Sequence, residues 1–239
     1  MVNALVNIFI PIGILLTLSS EDRLGAIPAL LLAIGIPAVY GITMLLRTRK
    51  INTQSILGII SVLLTGVIAV FRLDTILFPI KEAAIPIGFA IVLLVTNRTR
   101  FPIVKLLMDM VQRKEKVERA IGATGAETAY RQHIERSGTI WAGIMTISGI
   151  MKFTLSSIIM DAPAGTEEFN TQLATYELVQ IPTSMMVTMV MILSLIWYIG
   201  KGTARIIDTS PADVLRGGER LAGIFGRLGR LGRASRQSA

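Results

Sequence analysis

Six apolar segments, separated by loops whose basic residues fall on alternate sides, constrain this chain more than any other feature. They run Val2–Leu18, Leu24–Leu46, Ser55–Phe71, Ile76–Thr96, Ser137–Met160 and Tyr176–Gly200. Each is about 17–25 residues long, the length a helix needs to cross a ~30 Å hydrocarbon core. In lipid every backbone N–H and C=O must be paired within its own segment, so such runs predict helices rather than isolated strands. The expected fold is all-α: a polytopic membrane protein, a bundle of about six transmembrane helices with a cytoplasmic amphipathic helix and a basic tail.

Composition agrees with a lipid environment. Only 17% of the residues are charged and 52% are hydrophobic, whereas an average soluble domain carries about 25% charge. There is no cysteine and a single histidine, His133. Disulfides, thiolate sites and histidine-based metal clusters are therefore excluded, and no cofactor is expected. His133 reads as a solvated surface residue. The first segment has no Lys or Arg ahead of it, is interrupted by Pro11 and meets no small-x-small site, so it reads as a retained helix.

The threading follows from charge. Of the 24 basic residues, all but Arg23, Arg72, Lys81 and Lys152 follow the second, fourth or sixth segment. Basic residues accumulate on the cytoplasmic side of short loops. Six spans with both termini inside satisfy that rule, and the acidic Glu21, Asp22, Asp161, Glu167, Glu168 and Glu177 then lie on the opposite face. The net charge of +8 is this inside bias, joined to attraction for anionic lipid headgroups of about 1 kcal/mol per basic residue. Arg47, Arg49, Lys50, Arg216, Arg220, Arg227, Arg230 and Arg233 are the expected headgroup contacts. No nucleic-acid-reading motif accompanies them.

The expected organisation is a four-span half (1–96), an amphipathic and basic linker (97–136), a two-span part (137–200) and a basic tail (201–239). Within the linker, Phe101–Arg119 starts with Pro102 and carries an apolar stripe of Ile103, Val104, Leu106, Leu107, Met110 and Val111. This pattern predicts one helix lying on the inner leaflet, ended near Gly122 and Gly125. The tail opens on Ser210-Pro211, a helix-start signal.

Candidate chemistry concentrates in the fourth segment, where Lys81 and Glu82 interrupt an apolar run between Pro79 and Pro86. Prolines free backbone carbonyls, so this stretch reads as a break point. Adjacent helical residues point about 100° apart, so each charge is expected to find its partner on another helix. Charges inside a bilayer cost about 2.5–3.5 kcal/mol and usually face a bundle interior or wet cavity. The expected polar cluster is Asp74, Lys81, Glu82 and Lys152, with Arg72 and Glu177 as outer-side partners. The alternative is a set of ordinary headgroup-level charges. Ile10-Pro11-Ile12-Gly13 recurs as Ile85-Pro86-Ile87-Gly88, which raises an inverted repeat of transporter type against chance in an isoleucine-rich chain. The methionines of the last two segments read as packing fill. No hydrolase motif is present, so the chain reads as non-enzymatic.

One long stretch resembles the bacterial intracellular septation protein A family. It comprises Arg47-Thr-Arg-Lys50 closing the second segment, the Ile56–Phe71 segment, and Arg72-Leu-Asp74-Thr-Ile-Leu-Phe-Pro-Ile-Lys81-Glu82-Ala-Ala-Ile-Pro86 leading into the fourth. Phe169-Asn170 ahead of the last segment is a weaker echo. The similarity covers about residues 3–96 and points to a longer branch of that family. It implies a small multi-pass protein of the bacterial inner membrane, linked to septation and envelope upkeep, whose partners are envelope or division membrane proteins. The other expected class is a small secondary transporter or permease with Lys81, Glu82 and Lys152 in its pathway.

Overall fold

The structure, a computed structural model, describes residues 5–48, 53–99 and 101–215. Among these the only element other than helix is one isolated bridge between Gln112 and Leu215. A π-helical turn, Leu5–Phe9, runs into α1 (Ile10–Leu18). Then come α2 (Ala26–Thr48), α3 (Thr53–Val70), α4 (Leu77–Asn97), α5 (Ile103–Val111), α6 (Lys114–Thr124), α7 (Glu127–Ile159), α8 (Glu167–Ile206) and α9 (Pro211–Val214). Among the described residues, four helices are long and apolar enough to cross a membrane: α2 through Ala26–Thr43, α4, α7 and α8. The first expected segment is a shorter apolar piece, Val6–Leu18. The last two overrun their expected limits, with 33 and 40 residues. No glycine or proline interrupts their polar N-terminal turns, so the helices continue beyond the apolar run.

The described residues form two compact units. The first takes the chain up to Ile87 together with Thr146–Val187; the second takes Gly88–Met145 and the chain from Thr188 onward.

In the first unit, the core centres on Phe78, Phe169 and Tyr176, all fully buried. Phe78 stands edge-on to both neighbours, at 6.3 Å from Phe169 and 5.3 Å from Tyr176 between centroids, the arrangement aromatic quadrupoles favour. Thr166 caps α8, its Oγ1 accepting from the Phe169 N–H at 3.1 Å. Asn170, also fully buried, donates from Nδ2 to Ser19 Oγ at 2.9 Å and to the Ala26 carbonyl at 2.7 Å, which ties the start of α8 to the α1–α2 turn. After α3 the chain turns through Arg72, at φ 48°. The N–H of Arg72 donates to the Ala69 carbonyl and that of Leu73 to the Ile68 carbonyl, a Schellman closure that usually uses glycine. Gly165 packs against this turn. A Cβ there would meet the Ala69 carbonyl oxygen at 2.7 Å, and its φ of +82° also excludes most side chains.

Helix α4 is continuous, which corrects the expected break between Pro79 and Pro86. Pro79 falls in its first turn, where a missing N–H removes no bond. Pro86 lies inside the helix, which absorbs it. Pro11 instead sits at the start of α1, so the two Ile-Pro-Ile-Gly stretches occupy different settings.

In the second unit the expected single amphipathic helix is two helices, α5 and α6. The break falls at Gln112, whose backbone is extended (φ −93°, ψ 160°). Gln112 bridges to Leu215, and the Arg113 N–H donates to the Val214 carbonyl at 2.8 Å. Val104 and Met108 of α5, with Val117 and Ile121 of α6, pack into a core with Tyr130, Ile199 and Val214. The face expected to rest on lipid is thus partly a protein face, while Leu106 and Met110 remain exposed. His133 is also a correction. It is buried, with its ring 5.2 Å from that of Tyr198, and a Cβ on Gly202 would overlap it. Met185, Met186 and Met189 face outward rather than filling a core.

Candidate functional site

Gly149 brings α7 close to α4. A Cβ at this position would lie 2.6 Å from Ile87 Cγ1 and 3.4 Å from the Ala83 carbonyl oxygen. Small residues permit this kind of helix approach within membranes. Lys152 follows three residues later on the same face. Its Nζ donates to Glu82 Oε2 at 3.3 Å.

Glu82 is the hub. Only 8% of its side chain is exposed. Oε1 forms an ion pair with Lys81 Nζ. Oε2 accepts from Lys152 and also from the Tyr176 hydroxyl, at 3.0 Å. Lys81 stretches over the Phe78 ring, 4.3 Å from its centroid, and reaches Ser61 Oγ at 3.4 Å. Cation–π attraction and the long alkyl stem let Lys81 fold back onto its neighbour. Lys81 and Glu82 therefore do pair directly, contrary to the expectation from helical angle alone.

The network continues on α8. With its amide oriented to satisfy both neighbours, Gln180 accepts from Lys152 Nζ at 2.8 Å and donates to Glu177 Oε2 at 3.1 Å. Two lysines and two glutamates, joined by Tyr176, Gln180 and Ser61, thus link α3, α4, α7 and α8. A buried charge is tolerable only when paired and hydrogen-bonded; here Glu82 is paired with both lysines, and Glu177 joins the network through Gln180.

The structure brings Lys81, Glu82, Lys152 and Glu177 together and leaves Asp74 and Arg72 outside. Asp74 is exposed, and its Oδ1 accepts from the Ile76 N–H at 3.0 Å at the start of α4. Arg72 is exposed in its left-handed turn and borders an open loop cavity with Glu21, Asp161 and Glu167. Both belong to turns, and the turn chemistry decides their direction. Tyr176, Gln180 and Ser61 were not expected. Their polar groups lie in apolar runs, which is the one signal that marks them. Arg47 is exposed on the last turn of α2. Arg49, Lys50, Arg216, Arg220, Arg227, Arg230 and Arg233 lie outside the described residues. Among the described residues no group of three or more His, Asp or Glu side chains is placed to hold a metal ion.

No family model, no curated protein and no solved structure matches this chain.

Proposed function

We propose that this chain is a non-enzymatic, multi-pass protein of septation protein A type in a bacterial inner membrane. It has six spans and both termini on the cytoplasmic side. It acts by presenting fixed helix faces to lipid and to envelope or division membrane proteins. The observation that carries the reading is the saturation of the Glu82 carboxylate. Lys81, Lys152 and Tyr176 occupy its two oxygens, so it offers little to a passing substrate. Satisfied polar networks of this kind hold elements in a single register. The basic residues of the inner loops and tail add adhesion to anionic headgroups.

Cell-length and septum imaging tests this reading, in a strain lacking the chain. Complementation by wild type and by a folded Lys81→Met, Glu82→Gln variant is the expected result. Normal division without the chain would remove the septation role. A second reading, a small secondary transporter, draws on the cavity beside Glu177. It requires the folded variant to fail in complementation and to lose flux in liposomes.

A further inference from the structure

We propose that the first unit holds a binding site for a small, mostly apolar molecule bearing a protonated amine, with Glu177 as its anion. A cavity of about 200 Å³ opens among α1, α2, α3 and α8, lined by Asn7, Ile12, Leu30, Ala33, Thr65 and Glu177 among others. It is independent of the scaffold reading, since it uses the Glu177 end of the network and not the saturated Glu82 carboxylate.

Size and wall chemistry define the ligand. An apolar cavity of about 150 Å³ accommodates benzene, so this one takes a ring with a short substituent. Most of the wall is aliphatic, and among the described residues Glu177 is its only ionisable one.

Besides the Asn7 amide, the polar groups of the wall with capacity to spare are acceptors. Gln180 donates to one Glu177 oxygen, and a carboxylate has about four acceptor sites, so accepting capacity remains. The Thr65 hydroxyl spends its proton on the Ser61 carbonyl at 3.1 Å, leaving lone pairs. Pro37 has no N–H, so the carbonyl of Ala33, four residues earlier on the cavity wall, lacks its i+4 helical donor. A wall that offers acceptors and a carboxylate selects a cationic donor, and an ammonium supplies three N–H groups. The π-helical turn at Leu5–Phe9 places Asn7 and Ile8 on the rim, and such turns recur at functional positions. A neutral ligand of the same shape would leave the acceptors unpaired in an apolar surround.

Equilibrium dialysis tests the site, with 2-phenylethylamine and its neutral near-isostere propylbenzene as probes. Nanodiscs containing the full chain are compared with empty nanodiscs of the same lipid. The expected result is saturable uptake of the amine, at least tenfold tighter than propylbenzene. Glu177→Gln, which keeps the shape and removes the charge, should abolish that preference. A second variant, Thr65→Val, should weaken the amine and spare propylbenzene. Equal affinity for the two probes would reduce the cavity to an apolar hole and overturn the proposal. So would full amine binding by folded Glu177→Gln, or no saturable uptake of the amine by folded wild type.

Discussion

Lys152 and Glu82 meet at 3.3 Å between α7 and α4, at a point where Gly149 and Ile87 leave no room for a Cβ between the helices. The backbone approach and the ion pair depend on each other. Without the close contact the lysine would have to span a wider gap, and without the carboxylate its direct acceptor would be the neutral Gln180 amide.

Gly149→Ala should destabilise the protein by about 1–3 kcal/mol, the usual range for overpacking a filled contact. Trimming the obstructing side chain with Ile87→Ala should recover part of that loss when the two changes are combined. Thermal unfolding in detergent micelles across the four variants gives the comparison. Equal losses for Gly149→Ala in both backgrounds would show that the approach of α7 to α4 is not limited by Ile87.

Tyr176→Phe removes one of three donors from Glu82 while keeping the ring packed against Phe78. Interhelical hydrogen bonds in bilayers are worth about 0.6–1.7 kcal/mol, so the loss should fall in that range. A change near zero would mean that the two lysines satisfy the carboxylate on their own.

Much of this arrangement was legible beforehand, and the rest failed for identifiable reasons. The apolar runs announced the long helices because period and length report directly on burial in lipid. Lys81, Glu82 and Lys152 stood out because charge inside such a run needs compensation. Asp74 and Arg72 misled because sequence proximity to the cluster said nothing of an Asx contact or a left-handed cap turning them outward. The break at Gln112 is set by partners about 100 residues away. Gln112 Nε2 donates to Thr203 Oγ1 at 2.6 Å and Leu215 supplies the bridge, so no local rule could place it. His133 is buried by Tyr198 and Gly202, a contact that depends on α7 meeting α8.

Gln112→Ala should destabilise the second unit by about 1–3 kcal/mol, because the Tyr130 hydroxyl, 3.1 Å from Gln112 Oε1, and Thr203 both lose a buried partner. Hydrogen exchange at the α5–α6 corner should report it as faster opening of the Arg113 amide, which donates to Val214. Unchanged exchange there would separate the side chain from the break.

The α9 segment carries a pH dependence of known sign. Hydrogen bonds from Lys116 and Ser210, together with the Lys116 charge, hold the Asp213 carboxyl below its usual range. A depressed carboxylate stabilises the folded form fully above the ordinary value of about 3.9, and the contribution is lost as pH falls through the lower folded value. Protection of the Leu215 amide, bonded to Pro211, should therefore drop on acidification below about pH 4. Asp213→Asn should flatten that dependence. An identical acid response in both proteins would assign it to another group.

If the buried charges act as one clamp between helices, Lys152 and Glu82 must depend on each other. A double-mutant cycle of Glu82→Gln and Lys152→Met, read by reversible unfolding in micelles, tests it most directly. Breaking either side of a buried pair leaves an uncompensated partner and costs up to about 3–5 kcal/mol, and removing both relieves part of that cost. The double variant should lose at least ~1.5 kcal/mol less than the sum of the single losses, well outside the ~0.5 kcal/mol scatter of independent sites. Losses that add within that scatter would show that Lys152 and Glu82 do not depend on each other, and would contradict the clamp.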